Sequence, residues 1–223
     1  MKKILMMAFA AIVSMGASAQ LISSNTVTHK KESNGYNRLS VSYNSLSIDK
    51  NFMGGAMNGF SAAWTKGISV SSSMPLYIET GLGLTYAFRS ETNEIKEESY
   101  EVDLKHNFLA LSVPVNLTYK YEVPNTEFKI APFAGVYFRG NLLGETKWED
   151  DYDAESVKWF DDYEDDGIEA KRFSFGWQVG VGFEYRKLYL GVSYGSDFNN
   201  LIDNDDDVKD KFNTFAATVG FNF

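Results

Sequence analysis

Leu76-Tyr77-Ile78-Glu79-Thr80-Gly81-Leu82-Gly83-Leu84-Thr85-Tyr86-Ala87-Phe88 separates by parity into two unlike faces. The even positions, Leu76, Ile78, Thr80, Leu82, Leu84, Tyr86 and Phe88, are large and apolar as a set. The odd positions, Tyr77, Glu79, Gly81, Gly83, Thr85 and Ala87, are small and polar as a set. A period of two is the pattern of a β-strand with different surroundings on its two sides.

The split recurs outward from this stretch. From Leu109 to Tyr121 the odd residues are apolar, and Ala110, Ser112, Pro114, Asn116, Thr118 and Lys120 lie between them. From Phe173 to Tyr185 the odd residues are again large, and Ser174, Gly176, Gln178, Gly180, Gly182 and Glu184 are the minor face. Eight such segments are expected, at about 37–46, 57–71, 75–89, 106–121, 127–141, 172–186, 188–197 and 212–223. Helical periodicity is absent beyond the N-terminus. Membrane-spanning strands need ~9–11 residues, which these segments supply.

Polarity selects the kind of barrel. A soluble barrel turns its large apolar face inward and covers itself with charge. Here the minor face is crowded with Gly, Ala, Ser and Thr. Such a face suits the narrow interior of eight strands, and the broad aromatic-rich face suits lipid. Aromatics gather near strand ends, as interfacial girdles require: Tyr86 and Phe88, Tyr119 and Tyr121, Phe128 and Phe138, Phe173 and Phe175, Phe221 and Phe223. The fold expected is all-β, an eight-stranded antiparallel up-and-down transmembrane β-barrel.

The connections alternate in length. Those near 72–74, 122–126 and 187 are short, whereas 47–56, 90–105, 142–171 and 198–211 are long. Short periplasmic turns and long extracellular loops are the expected asymmetry, with both chain ends in the periplasm. Three of the long connections and their flanks carry 24 of the 30 acidic residues, so the wall is nearly free of them.

Residues 1–19 read as a signal peptide. Lys2 and Lys3 precede the apolar run Ile4–Val13, and Ala17-Ser18-Ala19 is a small-residue cleavage pattern. The run is shorter than the roughly 20 residues of a spanning helix. A short periplasmic segment, 20–36, then leads into the barrel at 37–223. The net charge of −9 gives no basic field for nucleic acid. The chain has no cysteine, which removes disulfides, thiol catalysis, Cys-ligated zinc and a lipoprotein anchor.

The chain ends Thr214-Phe-Ala-Ala-Thr-Val-Gly-Phe-Asn-Phe223. Phe221 and the terminal Phe223 resemble the assembly signal of outer-membrane barrels, which implies the barrel assembly machinery as a partner. Leu111-Ser112-Val113-Pro114-Val115-Asn116-Leu117, Ala131-Pro132-Phe133-Ala134-Gly135-Val136, Val179-Gly180-Val181-Gly182-Phe183-Glu184-Tyr185 and Leu188-Tyr189-Leu190-Gly191-Val192-Ser193-Tyr194 resemble successive strands of the Bacteroidetes outer-membrane β-barrel family called porin-like or PorT-like. These are barrels of the OmpA/OmpX type. The resemblance covers about 37–223 and departs at Ala110, where an acidic or polar residue is expected. It implies the fold and the outer membrane, and no particular activity.

Candidate chemistry is sparse. His29 precedes the barrel, and His106 opens the fourth strand at the outer rim in the phase of Ser112. An outer-membrane enzyme could use His106 with neighbouring acids, but no spacing demands it, and the expectation is a non-enzyme. Asp203-Asn204-Asp205-Asp206-Asp207 lacks the glycine and final ligand of a calcium loop, and Asp162-x-Glu164-x-Asp166-Gly167 lacks the final ligand. No cofactor or metal is expected. Trp148, Tyr152, Trp159, Phe160 and Tyr163 lie among acids in the longest loop. They form either a surface for an extracellular ligand or local packing against the rim.

Two further features concern the wall. Lys66 falls on the apolar phase with Phe60, Trp64 and Ile68, and Gly67 could mark a bulge that turns it inward. Strand phase sends Arg38, Glu79, Lys120, Lys129 and Glu184 into the lumen near the periplasmic ends. Isolated buried ions cost several kcal/mol, so a salt-bridged plug is expected. The functional reading is a monomeric barrel in outer-membrane lipid with a structural or surface-interaction role. The alternatives are a small pore for solutes or ions and a lipid-modifying enzyme.

Overall fold

The computed structural model describes residues 35–48, 55–71, 74–95, 100–149, 154–160, 170–201 and 211–223. The signal-peptide reading, His29, both aspartate-rich motifs, Tyr152 and Tyr163 lie outside them. The strands are β1 (Gly35–Ser47), β2 (Ala56–Ser69), β3 (Leu76–Ile95), β4 (Tyr100–Tyr119), β5 (Tyr121–Glu122), β6 (Phe128–Glu149), β7 (Ala154–Lys158), β8 (Phe173–Tyr185), β9 (Leu188–Asp197) and β10 (Asn213–Asn222). Eight form the wall, in the cyclic order β1-β2-β3-β4-β6-β8-β9-β10, every neighbouring pair antiparallel. This is the expected up-and-down barrel. β5 continues β4, and β7 folds back on the far end of β6.

Alternation survives folding because the two faces meet different media. Leu39, Val41, Phe60, Trp64, Leu82, Leu84, Val115, Leu117, Val179, Leu190 and Val192 all face outward and exposed. In water this surface would be intolerable; against lipid tails it is matched. Outward residues from Phe60 to Val70 cover roughly 33 Å of strand, or about 25 Å of membrane at a tilt of ~40°. Tyr43 donates to Asn58 (2.6 Å), Tyr86 to Asn107 (2.9 Å) and Tyr194 to Asn213 (3.3 Å). Each asparagine sits one row nearer the long-loop rim than the residue opposite its tyrosine. These pairs mark one edge of the belt.

The seam closes between β1 and β10, from Arg38↔Asn222 to Ser47↔Asn213. Beyond it, Asn37 and Phe223 exchange both backbone bonds, at 3.0 and 2.8 Å. An open edge in lipid leaves such groups unpaired. Deleting Phe223 removes both bonds, each worth about 1 kcal/mol net, and a girdle aromatic. The folded form that runs fast on unboiled gels is expected to fall severalfold. Unchanged yield would show that the terminal aromatic is dispensable for assembly.

The short turns use local chemistry. In Val123-Pro124-Asn125-Thr126, proline precedes Asn125 at φ 59°, and Thr126 N–H bonds Val123 C=O at 3.2 Å, the signature of a type II turn. Arg186, first residue of the two-residue β8–β9 turn, has φ 55° and is bonded to Glu127 on the neighbouring turn.

Several boundaries depart from the sequence reading. Gly35 and Tyr36 belong to β1 rather than to a preceding segment. β3, β4 and β6 run 20, 20 and 22 residues, well past the belt. The connection expected at 90–105 is therefore mostly a paired hairpin, from Ser90↔Lys105 to Ile95↔Tyr100. Much of 142–171 is likewise the β6–β7 hairpin. Above the membrane both faces meet water, so the ladder continues without apolar alternation. The break between β4 and β5 falls beside Pro132, which has no N–H to donate. Gly67 makes no bulge: Asn37↔Lys66↔Thr80 is in unbroken register, and Lys66 stays exposed on the outer face. It lies near the short-turn end of β2, where its stem can lead the ammonium to the headgroups.

Candidate functional site

The lumen is the built site, and it is organised in levels. Nearest the short turns, Arg38, Glu79, Lys120 and Glu184 are all buried. Arg38 Nη2 donates to Glu79 Oε2 at 2.8 Å, and its Nη1 lies 3.9 Å from Glu184 Oε1. Lys120 Nζ reaches the two Glu184 oxygens at 2.9 and 3.1 Å. Two cations and two anions leave the group neutral. Lys129, the fifth residue expected here, lies at the rim, with Nζ 3.1 Å from the exposed Glu122.

Three tyrosines complete this level, and the sequence reading assigned them no role. Tyr36 Oη donates to Glu79. Lys120 Nζ lies 3.3 Å from the centre of the Tyr36 ring, and the Arg38 guanidinium 3.9 Å from that of Tyr189. Tyr77 meets Tyr36 edge-on at 5.5 Å. Aromatic faces partly replace the water these cations lose. Glycines make the room: a Cβ on Gly67 would come within 2.3 Å of the Tyr36 ring, and one on Gly182 within 2.4 Å of Tyr189. A large residue on the small-polar phase of a glycine-rich wall was the available signal.

Above this level lies a chamber of about 200 Å³, walled by residues such as Ser42, Asn44, Ser61, Thr85 and Thr218. Ser42 bonds Thr218 at 2.8 Å, and Ser61 bonds Thr85 at 2.7 Å. Cross-strand hydroxyl pairs satisfy one another without long side chains.

The chamber is closed at its other end by a second ionic group. Arg139 Nη2 donates to Asp197 Oδ2 at 2.5 Å, and Tyr137 Oη to Asp197 Oδ1 at 2.5 Å. Asn141 accepts from Arg139 Nε at 3.0 Å, and the guanidinium lies 4.7 Å from the Phe212 ring centre. Asp197 adjoins the acid-rich connection 198–211, yet it is the last residue of β9 and is 3% exposed.

Over this group the mouth is apolar. Leu46, Ile48, Met57, Phe108, Leu201 and Phe212 form one buried cluster with Trp159 and Phe160. Of the loop aromatics, Trp159 and Phe160 are packed into the mouth, at 4% and 6% exposure. Trp148 is exposed. Trp159 N–H bonds Gly144 C=O at 2.8 Å, and its indole donates to Thr146 Oγ1 at 2.8 Å. His106 is buried beneath it, with Nδ1 2.9 Å from the same hydroxyl. Its described hydrogen bond serves the lid rather than a carboxylate. Among the described residues no group of carboxylates, histidines or cysteines has metal-site geometry.

An apolar belt closed on itself, around a filled polar lumen, defines a transmembrane β-barrel of the outer-membrane kind. The family model for the outer membrane protein beta-barrel domain matches residues 7–223, and the chain belongs to that family. Solved structures that it resembles include Ail, the attachment invasion locus protein of Yersinia pestis, in complex with the heparin analogue sucrose octasulfate. That match has 12% identity, 86% of this chain and 100% of the other covered, and a TM-score of 0.43. Neisserial surface protein A gives 15%, 86%, 98% and 0.42. The outer membrane enzyme PagL gives 12%, 82%, 98% and 0.45. No curated protein sequence matches the chain.

Proposed function

We propose that this outer-membrane protein is a closed, monomeric barrel whose long-loop end is extracellular and has a structural or surface-interaction role. The observation that carries the reading is the pair of buried ionic groups, Arg38–Glu79–Lys120–Glu184 and Arg139–Asp197, with a lidded mouth beyond the second. A solute would have to break both. The paired extension of β3, β4, β6 and β7 beyond the belt supports the surface role, because it displays a sheet outside the membrane. Export by residues 1–19, folding by the barrel assembly machinery and an extracellular ligand complete the proposal.

Purified protein in a planar bilayer is expected to show no steady conductance, with small flickering openings after Glu79→Ala. A stable ohmic channel in the wild type would replace this reading with the pore.

A further inference from the structure

The arm over the mouth is fastened at one hydroxyl. Trp159 stacks on Phe108, with ring centres 6.1 Å apart, and Phe108 meets Phe212 at 5.1 Å. An indole N–H only donates, so Thr146 Oγ1 accepts from Trp159 at 2.8 Å. The same oxygen lies 2.9 Å from His106 Nδ1, and the His106 and Trp159 rings are 6.5 Å apart. His106 is buried, beyond the belt edge at Asn107, and directly opposes Arg89 across the β3–β4 ladder.

The charge on His106 decides whether this fastening holds. A neutral imidazole takes the Thr146 hydroxyl hydrogen at Nδ1, while Thr146 takes the indole hydrogen. An imidazolium carries a hydrogen on Nδ1 instead. The Thr146 oxygen then meets two N–H donors, and its own hydrogen loses that acceptor. The imidazolium also sets a second cation against Arg89, and like charges directly opposed destabilise a strand pair. The charged groups nearby are otherwise engaged: Glu91 of β3 pairs with Arg89, and Asp197 of β9 with Arg139 of β6. Thr146 of β6 and Trp159 of the arm are uncharged. No carboxylate among the described residues pairs with His106.

We propose that His106 is a proton-operated latch: protonation of its imidazole frees Trp159 and the arm 154–160, and uncovers Phe108 and the apolar cluster around it. Burial, and after it the Arg89 guanidinium, hold the imidazole below its ordinary value of about 6.5. With the arm open the ring regains that value. The closed arm therefore loses stability as pH falls below it, by up to about tenfold in the opening equilibrium per pH unit. The mouth is closed at neutral pH and presents an apolar patch in acid. The latch is independent of which side of the membrane the mouth faces and of whether the lumen conducts.

The test uses the full mature chain, folded in neutral detergent, with hydrogen exchange read at the Trp159 N–H that bonds Gly144 C=O. Wild type is compared with His106→Asn, whose amide reaches the place of Nδ1 and does not titrate. The ratio of the two rates cancels the intrinsic pH dependence of exchange. From about pH 7.5 to about pH 5.5 the wild-type rate relative to the variant is expected to rise about threefold or more, with no change at the β1–β10 seam. A constant ratio overturns the latch, and so does an equal loss of protection at the seam. NMR titration of the His106 ring in the wild type keeps the test independent of how the variant folds. Its midpoint is expected below about 6.5, and is expected to rise toward that value in Trp159→Ala. A wild-type midpoint at or above the ordinary value, or one that Trp159→Ala leaves in place, overturns the proposal.

Discussion

Glu184→Ala is expected to lower the unfolding free energy of the refolded barrel by about 3–5 kcal/mol, the cost of stripping one partner from a buried ion pair. Glu184 is the position to choose because it faces both cations, Lys120 at 2.9 Å and Arg38 at 3.9 Å. Removing it leaves two cations against Glu79 alone, in a lumen level filled by tyrosine rings. Urea titration in lipid vesicles measures the loss. Adding Lys120→Met removes the orphaned ammonium, and should restore much of the stability if the loss is electrostatic. Equal destabilisation by the single and double variants would mean that the packing volume of Glu184 matters rather than its charge. A loss under 1 kcal/mol would mean that water screens this level.

Trp159→Ala should have an effect of similar size, confined to the mouth. The indole is 4% exposed, stacks on Phe108 at 6.1 Å and donates to Thr146. Truncating a buried tryptophan costs about 3–5 kcal/mol, and here the cost falls on the local opening of the described arm 154–160. Cleavage of that segment by protease on intact cells is expected to accelerate about a hundredfold or more, while the wall stays uncut. Hydrogen exchange should show the change at Trp159 and Ala170, whose N–H groups bond Gly144 and Trp159, and not at the β1–β10 seam. Cleavage that appears only after the outer membrane is opened would reverse the proposed orientation.

The ionic level near the short turns was within reach of sequence because strand phase alone sends Arg38, Glu79, Lys120 and Glu184 to one side. The pairs needed stagger: Arg38 is level with Asn222 and Thr65, and Glu79 with Gly67 and Asn116. Asp197 shares the phase of Tyr189, Gly191, Ser193 and Gly195, and Arg139 that of Tyr137 and Gly135. Both were legible as lumen residues. Asp197 adjoins an acidic stretch, so composition alone groups it with the loop acids and hides its phase. Trp159 carried no such signal, since a hairpin arm outside the membrane has no period that says which way it folds.

What the sequence by itself determined is the barrel, its strand number and which face meets lipid. Those follow from a two-residue period that persists wherever lipid lies on one side and a narrow lumen on the other. Tertiary structure alone decided the levels within the lumen, the length of the strands above the membrane, the burial of Trp159 and Phe160, and the Arg89–His106 opposition. The reason is register: residues far apart in the chain come level only when the stagger between strands is set. That stagger is fixed by closure of the whole barrel rather than by any one strand.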